Sequence, residues 1–462
     1  ENFTSDKDFQ SRYIIKAQIS DVAYIRKLGF DIEFLSSDYV SGAINAELEF
    51  IVLDEIDSRL KVIANITQAV LSAPALGWSK PKGTPGKAEI IVNLSKNRIA
   101  GIPQFSVTAD DLLVIGTAKY ALDGTGLERV NFSKIVYGRT NMGGSLILRP
   151  DGTWDAGFQG NSFDLSPMWD DILMQMSGGD EVSSQFLDGL TLAVELEKVW
   201  LDSAISLNKV SGTFARQQET WQEVRLKGQV SKDAELNLII REDTDGRRHL
   251  DMKSKNAGRV LKFLDLYENM LGGDLAVSGV FDDSIPTQPL LGHISIRNYR
   301  VVNAPVLARL LSVMALTGIL EALEGDGLAF TDLAAPFELT QGTLAIKEAR
   351  ASGPSLGYTA KGKVFRNADI LDLEGTMIPA YALNSVFGHI PLLGEIFTGG
   401  EKGGGVFAAT YRMTGPIEEP VVSVNPLSAL APGILRNVFG IIGDLDNERS
   451  ILRDEMPIQK LH

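Results

Sequence analysis

The sequence predicts a mainly β protein, an antiparallel sheet punctuated by a few amphipathic helices, and three observations carry that prediction. Short runs alternate apolar and polar residues with a period of two. Asp-Gly dipeptides, which tolerate the positive φ of tight hairpin turns, separate such runs. Helical periodicity is confined to a handful of places, whereas a doubly wound parallel fold needs a helix of ten or more residues between successive strands.

Taken in order, the first clear strand is 46–52, where Ala46, Leu48, Phe50 and Val52 share one face and Glu47 and Glu49 the other. The run 192–197 sets Leu192, Val194 and Leu196 against Glu195 and Glu197. The run 235–240 groups Leu236, Leu238 and Ile240, and 369–376 opposes Leu371 and Leu373 to Asp372 and Glu374. Phe407, Ala409, Tyr411 and Met413 share a face near the end of the chain. Each strand is half polar and half apolar, as sheet with one solvated face requires. Tight turns are expected at Asp123-Gly124, Asp151-Gly152 and Asp245-Gly246, so that hairpins follow one another along the chain.

Helices are expected at five positions. Residues 164–176 carry Ser166 as a possible N-cap and Pro167 at the first helical position. Residues 256–271 offer Val260, Leu261, Leu264 and Met270 to one face, with Gly272-Gly273 as a stop. Residues 303–323 follow Asn303, a potential cap, and their apolar run is interrupted by Arg309 and Glu321, which favours a buried or interfacial helix over a membrane span. The last two cover 380–397, with a break at Pro391, and 425–442, opened by Asn425-Pro426.

Composition narrows the function. The 462 residues carry 44 Lys plus Arg against 59 Asp plus Glu, a formal charge of −15, which leaves no electrostatic footprint for nucleic acid. There is no cysteine, so disulfides, thiolate nucleophiles and Cys-ligated metals are excluded, and the four histidines are too dispersed for a local metal motif. The chain opens on Glu1 with a polar stretch, which reads as a processed product or an excised fragment.

Enzyme signatures fail. Gly83-Thr84-Pro85-Gly86-Lys87-Ala88 lacks the spacing of a phosphate loop, Gly124–Arg129 lacks the third glycine of a dinucleotide fingerprint, and Asp243-Thr244-Asp245-Gly246 runs into Arg247 and Arg248 where calcium ligands would be needed. No Gly-x-Ser-x-Gly nucleophile elbow is expected. Asp170-Asp171 and Asp282-Asp283 read as surface carboxylates. No catalytic residue, metal or cofactor is assigned.

Small motifs of the last 150 or so residues carry a resemblance. Gly292-His293-Ile294-Ser295-Ile296, Asn303-Ala304-Pro305-Val306-Leu307-Ala308, Pro336-Phe337 and Gly342-Thr343-Leu344 come first. Gly375-Thr376-Met377-Ile378-Pro379, Ile390-Pro391-Leu392-Leu393-Gly394, Thr414-Gly415-Pro416, Pro420-Val421-Val422 and Asn425-Pro426-Leu427 follow in order. The order resembles the carboxy-terminal domain of AsmA-like proteins, above all their large YhdP-type members, whose middle region Asn256-Ala257-Gly258 and Gly272-Gly273-Asp274-Leu275 fit.

The resemblance implies an elongated, curled antiparallel sheet of the repeating β-groove type, forming a hydrophobic groove. It implies bridge-like phospholipid transport between the inner and outer membranes, in the periplasm of a double-membrane bacterium, with an inner-membrane tether absent from this chain. The expected organisation is a β-groove segment over 1–185, a second over 186–285 with its helix at 256–271, an AsmA-like carboxy-terminal domain over 286–442 and a polar tail over 443–462. The expected partners are phospholipid acyl chains, the two membranes and unidentified envelope proteins. Strand parity then makes Leu192, Val194, Leu196, Leu236, Leu238, Ile240, Leu371, Leu373, Phe407 and Tyr411 the acyl-chain lining, since burying acyl chains releases about 0.8 kcal/mol per methylene. Leu427, Leu430, Ile434, Leu435 and Phe439 recur at helical spacing and are candidate membrane contacts, or equally a plug on the end of the sheet. The competing function is an envelope scaffold or assembly factor that acts by protein contacts and holds a dry, filled β core.

Overall fold

A computed structural model of the chain describes residues 9–20, 39–73, 76–96, 98–121, 126–169, 189–201, 205–217, 220–264, 266–313, 317–340, 342–379 and 409–425. The protein is mainly β, with mostly antiparallel sheet that does not close into a barrel. It divides into two compact units. One takes the described residues up to Val230 together with Leu238–Arg241, the other Ser231–Asn237 and the described residues from Glu242 onward.

The first unit opens with β1 (Ser11–Ile19), β2 (Val40–Gly42), β3 (Ile44–Val52), β4 (Asp57–Asn65), β5 (Ala69–Ala73) and β6 (Trp78–Lys80). It continues through β7 (Gly86–Ser95), β8 (Arg98–Ala109), β9 (Leu112–Tyr120), β10 (Leu127–Tyr137), β11 (Thr140–Leu148) and β12 (Trp154–Asp164). It ends with β13 (Leu190–Trp200), β14 (Ser206–Gln217) and β15 (Thr220–Ser231). The main sheet runs β1-β3-β4-β7-β8-β9-β10-β11-β12-β13-β14-β15. A separate three-stranded sheet, β2-β5-β6, brings Val40, Ile66 and Ala69 against Ile44, Ala46 and Ala64 of the main sheet.

One junction departs from the expected succession of hairpins. β12 and β13 pair in parallel, Trp154 opposite Leu190 and Phe158 opposite Val194. The link between Asp164 and Leu190 has the length that a return to the same end of the sheet demands, where a two-residue turn would force an antiparallel pair. Its described beginning is a 3-10 turn, Ser166–Met168, with Pro167 at its start.

Strand β16 (Ala234–Glu242) precedes the second unit's meander of β17 (Arg248–Ser254), β18 (Met270–Phe281), β19 (Leu290–Val301), β20 (Leu328–Thr340), β21 (Thr343–Ser352), β22 (Leu356–Phe365), β23 (Ile370–Pro379), β24 (Ala409–Pro416) and β25 (Val421–Asn425). From β17 to β25 each strand is antiparallel to the next. Glycine does what the turn dipeptides predict at Gly152 and Gly246, which take φ of 85° and 75°. Asp123-Gly124 lies outside the described residues.

The helices are shorter than their periodicity suggests. Helix α1 spans Ala257–Phe263, its first turn capped by Asn256, whose Oδ1 accepts from the Arg259 amide at 3.0 Å. The expected continuation to Leu271 does not exist. Met270 already pairs with Val301 in β18, because a strand partner satisfies its backbone across the sheet. The expected helix over 303–323 is described as α2 (Pro305–Val313) and α3 (Thr317–Glu324). Among the described residues no helix is long and apolar enough to cross a membrane. The expected helix at 380–397 lies outside the described residues, as does that at 425–442 except for its first residue, Asn425, which ends β25 and is a strand residue, not a helical one.

Candidate functional site: an apolar sheet face

In an antiparallel pair, residues directly opposite each other project to the same face, so strand register traces a face across a sheet. In the first unit one row traces such a face without a break from Ile15 in β1 to Leu226 in β15, and shorter apolar segments flank it. Phe50 lies between Tyr13 and Leu60, and Leu48 between Ile15 and Val62. Leu60 and Val62 meet Val92 and Ile90, Ile90 meets Phe105, and Ala88 meets Val107. Phe105 and Val107 meet Gly116 and Val114, which meet Phe132 and Ile135, then Gly144 and Met142. Gly144 and Leu146 meet Phe158 and Ala156, followed by Val194 and Leu192, then Gly212 and Phe214, and last Leu226 and Val224. No charged residue interrupts the continuous row over twelve strands, about 50 Å at ~4.8 Å per strand.

The reverse face is ionic. Arg12 pairs with Glu49 at 2.5 Å, Lys119 with Glu128 at 2.9 Å, Arg149 with Asp155 at 2.6 Å and Arg225 with Glu223 at 2.5 Å. These pairs are solvent-exposed and add little stability each; they mark which side is wet.

The apolar rows are not sealed. Phe50, Leu60, Ile90, Phe105, Val114, Phe132, Ile135, Phe158, Leu192, Val194, Phe214 and Leu226 are all half-buried. Glycines interleave with the aromatic rings: a Cβ on Gly116 would stand 2.4 Å from Phe105 Cζ, and one on Gly144 2.4 Å from Phe158 Cδ1. Each ring therefore lies across the glycine opposite it and fills the place of the missing side chain. Phe105 also meets Phe132 edge-on, their centroids 6.1 Å apart.

The second unit's corresponding face is drier. Leu275, Ile296, Phe337, Leu371 and Met377 are buried, and α1 packs on β18 and β19, α2 on β25 and α3 on β20. Tyr299 stacks on Phe330 at 5.2 Å, with Tyr358 edge-on to the same Phe330 ring.

Leu192, Val194 and Leu196 share the first unit's apolar face with Glu195 and Glu197 exposed behind them. Leu236 and Ile240 are buried and Leu238 half-buried. Leu371 and Leu373 lie on one face of β23, opposite Gly415 and Met413, with Glu374 exposed on the other. Tyr411 shares their face, but its hydroxyl donates to the Thr359 carbonyl at 2.6 Å across Gly375, and burial pushes the phenol's pKa up. It is tied to the sheet backbone as well as facing the lining. Phe407, Leu427, Leu430, Ile434, Leu435 and Phe439 lie outside the described residues.

Strand parity alone missed Phe105, Phe132, Phe158 and Phe214. Bulges between Ile102 and Phe105 and between Phe132 and Ile135 break the alternation, and glycines dilute the apolar signal of β11. One Gly-x-Ser-x-Gly string does occur, contrary to expectation, at Gly353-Pro354-Ser355-Leu356-Gly357. It forms the β21–β22 turn, with the Gly353 amide donating to the Leu356 carbonyl at 2.9 Å, and not the strand-to-helix elbow that exposes a nucleophile. No protein-family model matches the chain, and no curated protein or solved structure shows significant similarity to it.

Proposed function

We propose that the protein holds and conducts lipid acyl chains along the apolar face of its sheet, as a bridge-like phospholipid carrier between the two membranes of a bacterial envelope, without a catalytic step. The observation that supports this reading most is the uncharged row of the first unit, which runs from β1 to β15 and stays largely half-exposed where a sandwich core would be sealed. The periplasmic setting, the inner-membrane tether and the phospholipid cargo rest on the resemblance to AsmA-like proteins.

Photo-crosslinking amino acids at Val194 and Glu195 test it. Lipid adducts are expected at 194 and not at 195; equal adducts at both would sink the reading. Val194→Arg is expected to block lipid loading yet leave the protein folded, because a half-exposed face lets the long side chain carry its charge to water. A sealed core would instead lose several kcal/mol to a buried unpaired charge and unfold. The second reading, an envelope scaffold with a filled core, is favoured by the buried face of the second unit, and it predicts no co-purifying lipid.

A further inference from the structure

Among the described residues, Arg216 is a buried charged residue on the first unit's apolar face that the lining does not explain. It lies in β14 opposite Leu190 and Trp221, and Leu190 in turn faces Trp154. Its exposure is 9 %. Nε and Nη1 are both buried without a hydrogen-bond partner, and no ion pair of Arg216 forms among the described residues. Its described contact is with an aromatic face, the guanidinium carbon 5.9 Å from the Trp221 ring centroid.

A guanidinium does not shed its proton to escape burial, so leaving it unpaired in an apolar setting costs several kcal/mol. Buried charges are kept where something pairs with them. A guanidinium matches two oxygens of one oxyanion through Nε with Nη2 or through Nη1 with Nη2, and each of these two planar forks has one unpartnered donor in Arg216.

The position specifies the rest of the ligand. Arg216 lies near one end of β14 on its apolar side, and Phe214 with Leu192, Gly212 with Val194 and Val210 with Leu196 succeed it along β14 and β13. Six residues of strand cover about 20 Å, enough for the length of a long acyl chain. An oxyanion held at Arg216 would leave chains attached to it lying on those apolar pairs.

We propose that Arg216 receives the phosphodiester oxyanion of a phospholipid whose acyl chains lie along β13 and β14, an inference that rests on the acyl-chain reading above. The matched probes are a tail-labelled phosphatidylethanolamine and a tail-labelled diacylglycerol with the same chains and no phosphate, both delivered from cyclodextrin to the full chain. Arg216→Met is expected to weaken the phospholipid about tenfold or more, the usual loss for a charge-assisted pair, and to leave the diacylglycerol within about twofold. Arg216→Lys keeps the charge but loses the fork and is expected to fall between. Without lipid, Arg216→Met is expected to melt at the same temperature or higher, since it removes an unpaired buried charge.

Equal affinity of wild type and Arg216→Met for both probes would overturn the headgroup site and leave the acyl-chain reading intact. A wild type that binds neither probe overturns both. Loss of both probes together with a lower melting temperature would make Arg216 a structural residue and overturn the proposal. Stabilisation of the wild type by inorganic phosphate alone, lost in Arg216→Met and unaccompanied by phospholipid binding, would overturn the lipid as the source of the oxyanion.

Discussion

Lys80 shows how backbone carbonyls accommodate a buried charge with no counter-ion among the described residues. It is 2 % exposed, and its Nζ donates to the carbonyls of Ala69 at 2.6 Å, Pro81 at 3.2 Å and Thr67 at 3.4 Å. Three donors thus meet three acceptors, and the side chain ties β6 to the start of β5. Burial holds its pKa below the ordinary lysine value. The unfolded chain therefore binds the proton more tightly, and stability rises with pH from the lowered folded value up to about 10.4, the unfolded one. Urea midpoints measured from pH 8 to 10.5 are expected to show this upward component in wild type and to lack it in Lys80→Met. That variant also strands carbonyl acceptors and is expected to be less stable at pH 7 by about 1–3 kcal/mol. Neither Lys80 nor Arg216 is distinguishable in the sequence from an exposed cation, because burial of a long side chain is decided by neighbours far along the chain.

At the scale of elements, strands proved easier to read than helices. The runs around Leu48, Val194, Leu238 and Leu373 are strands with the expected parity, since a two-residue period survives wherever one face meets water. Helix α1 was legible at its start, where Asn256 caps it, and illegible at its end, because Leu264 and Met270 fit a helical stripe as well as they fit the packing that ends it. Asn256→Ala is expected to cost about 1 kcal/mol in denaturant titration. Gly258→Ala should cost more, since its Cβ would stand 2.1 Å from the Met270 carbonyl oxygen and force α1 off β18. Equal midpoints for the two variants would show that α1 does not depend on that close approach. The parallel β12–β13 pair was not legible either, for a long link can return to either end of a sheet.

For the whole molecule, the charge of −15 acts at longer range than any single site. Repulsion from anionic vesicles reaches about 30 Å at 0.01 M salt and about 3 Å at 1 M. Delivery of lipid to anionic vesicles is therefore expected to quicken as salt is raised from 0.01 to 0.5 M, with delivery to neutral vesicles nearly unchanged; the opposite trend would mean that a local cationic patch governs docking. The class of the protein was readable from composition and alternation alone. The continuity of the apolar row was not, because it depends on register across β8 to β12, where bulges and glycines hide which residues meet.

The pairing of rings with glycines bears on how a bound chain would move. Phe105 lying over Gly116 and Phe158 over Gly144 replace what would be a peak beside a pit by two shallow steps of similar height. A hydrocarbon chain sliding over such low relief exchanges one methylene's contacts for another's, and each step exposes on the order of one CH₂, about 0.8 kcal/mol. That barrier is close to thermal energy, so under the proposed function translocation along the row would be a diffusive drift, its direction set by where lipid enters and leaves. A surface of such low relief would oppose the sliding of a bound chain with little friction.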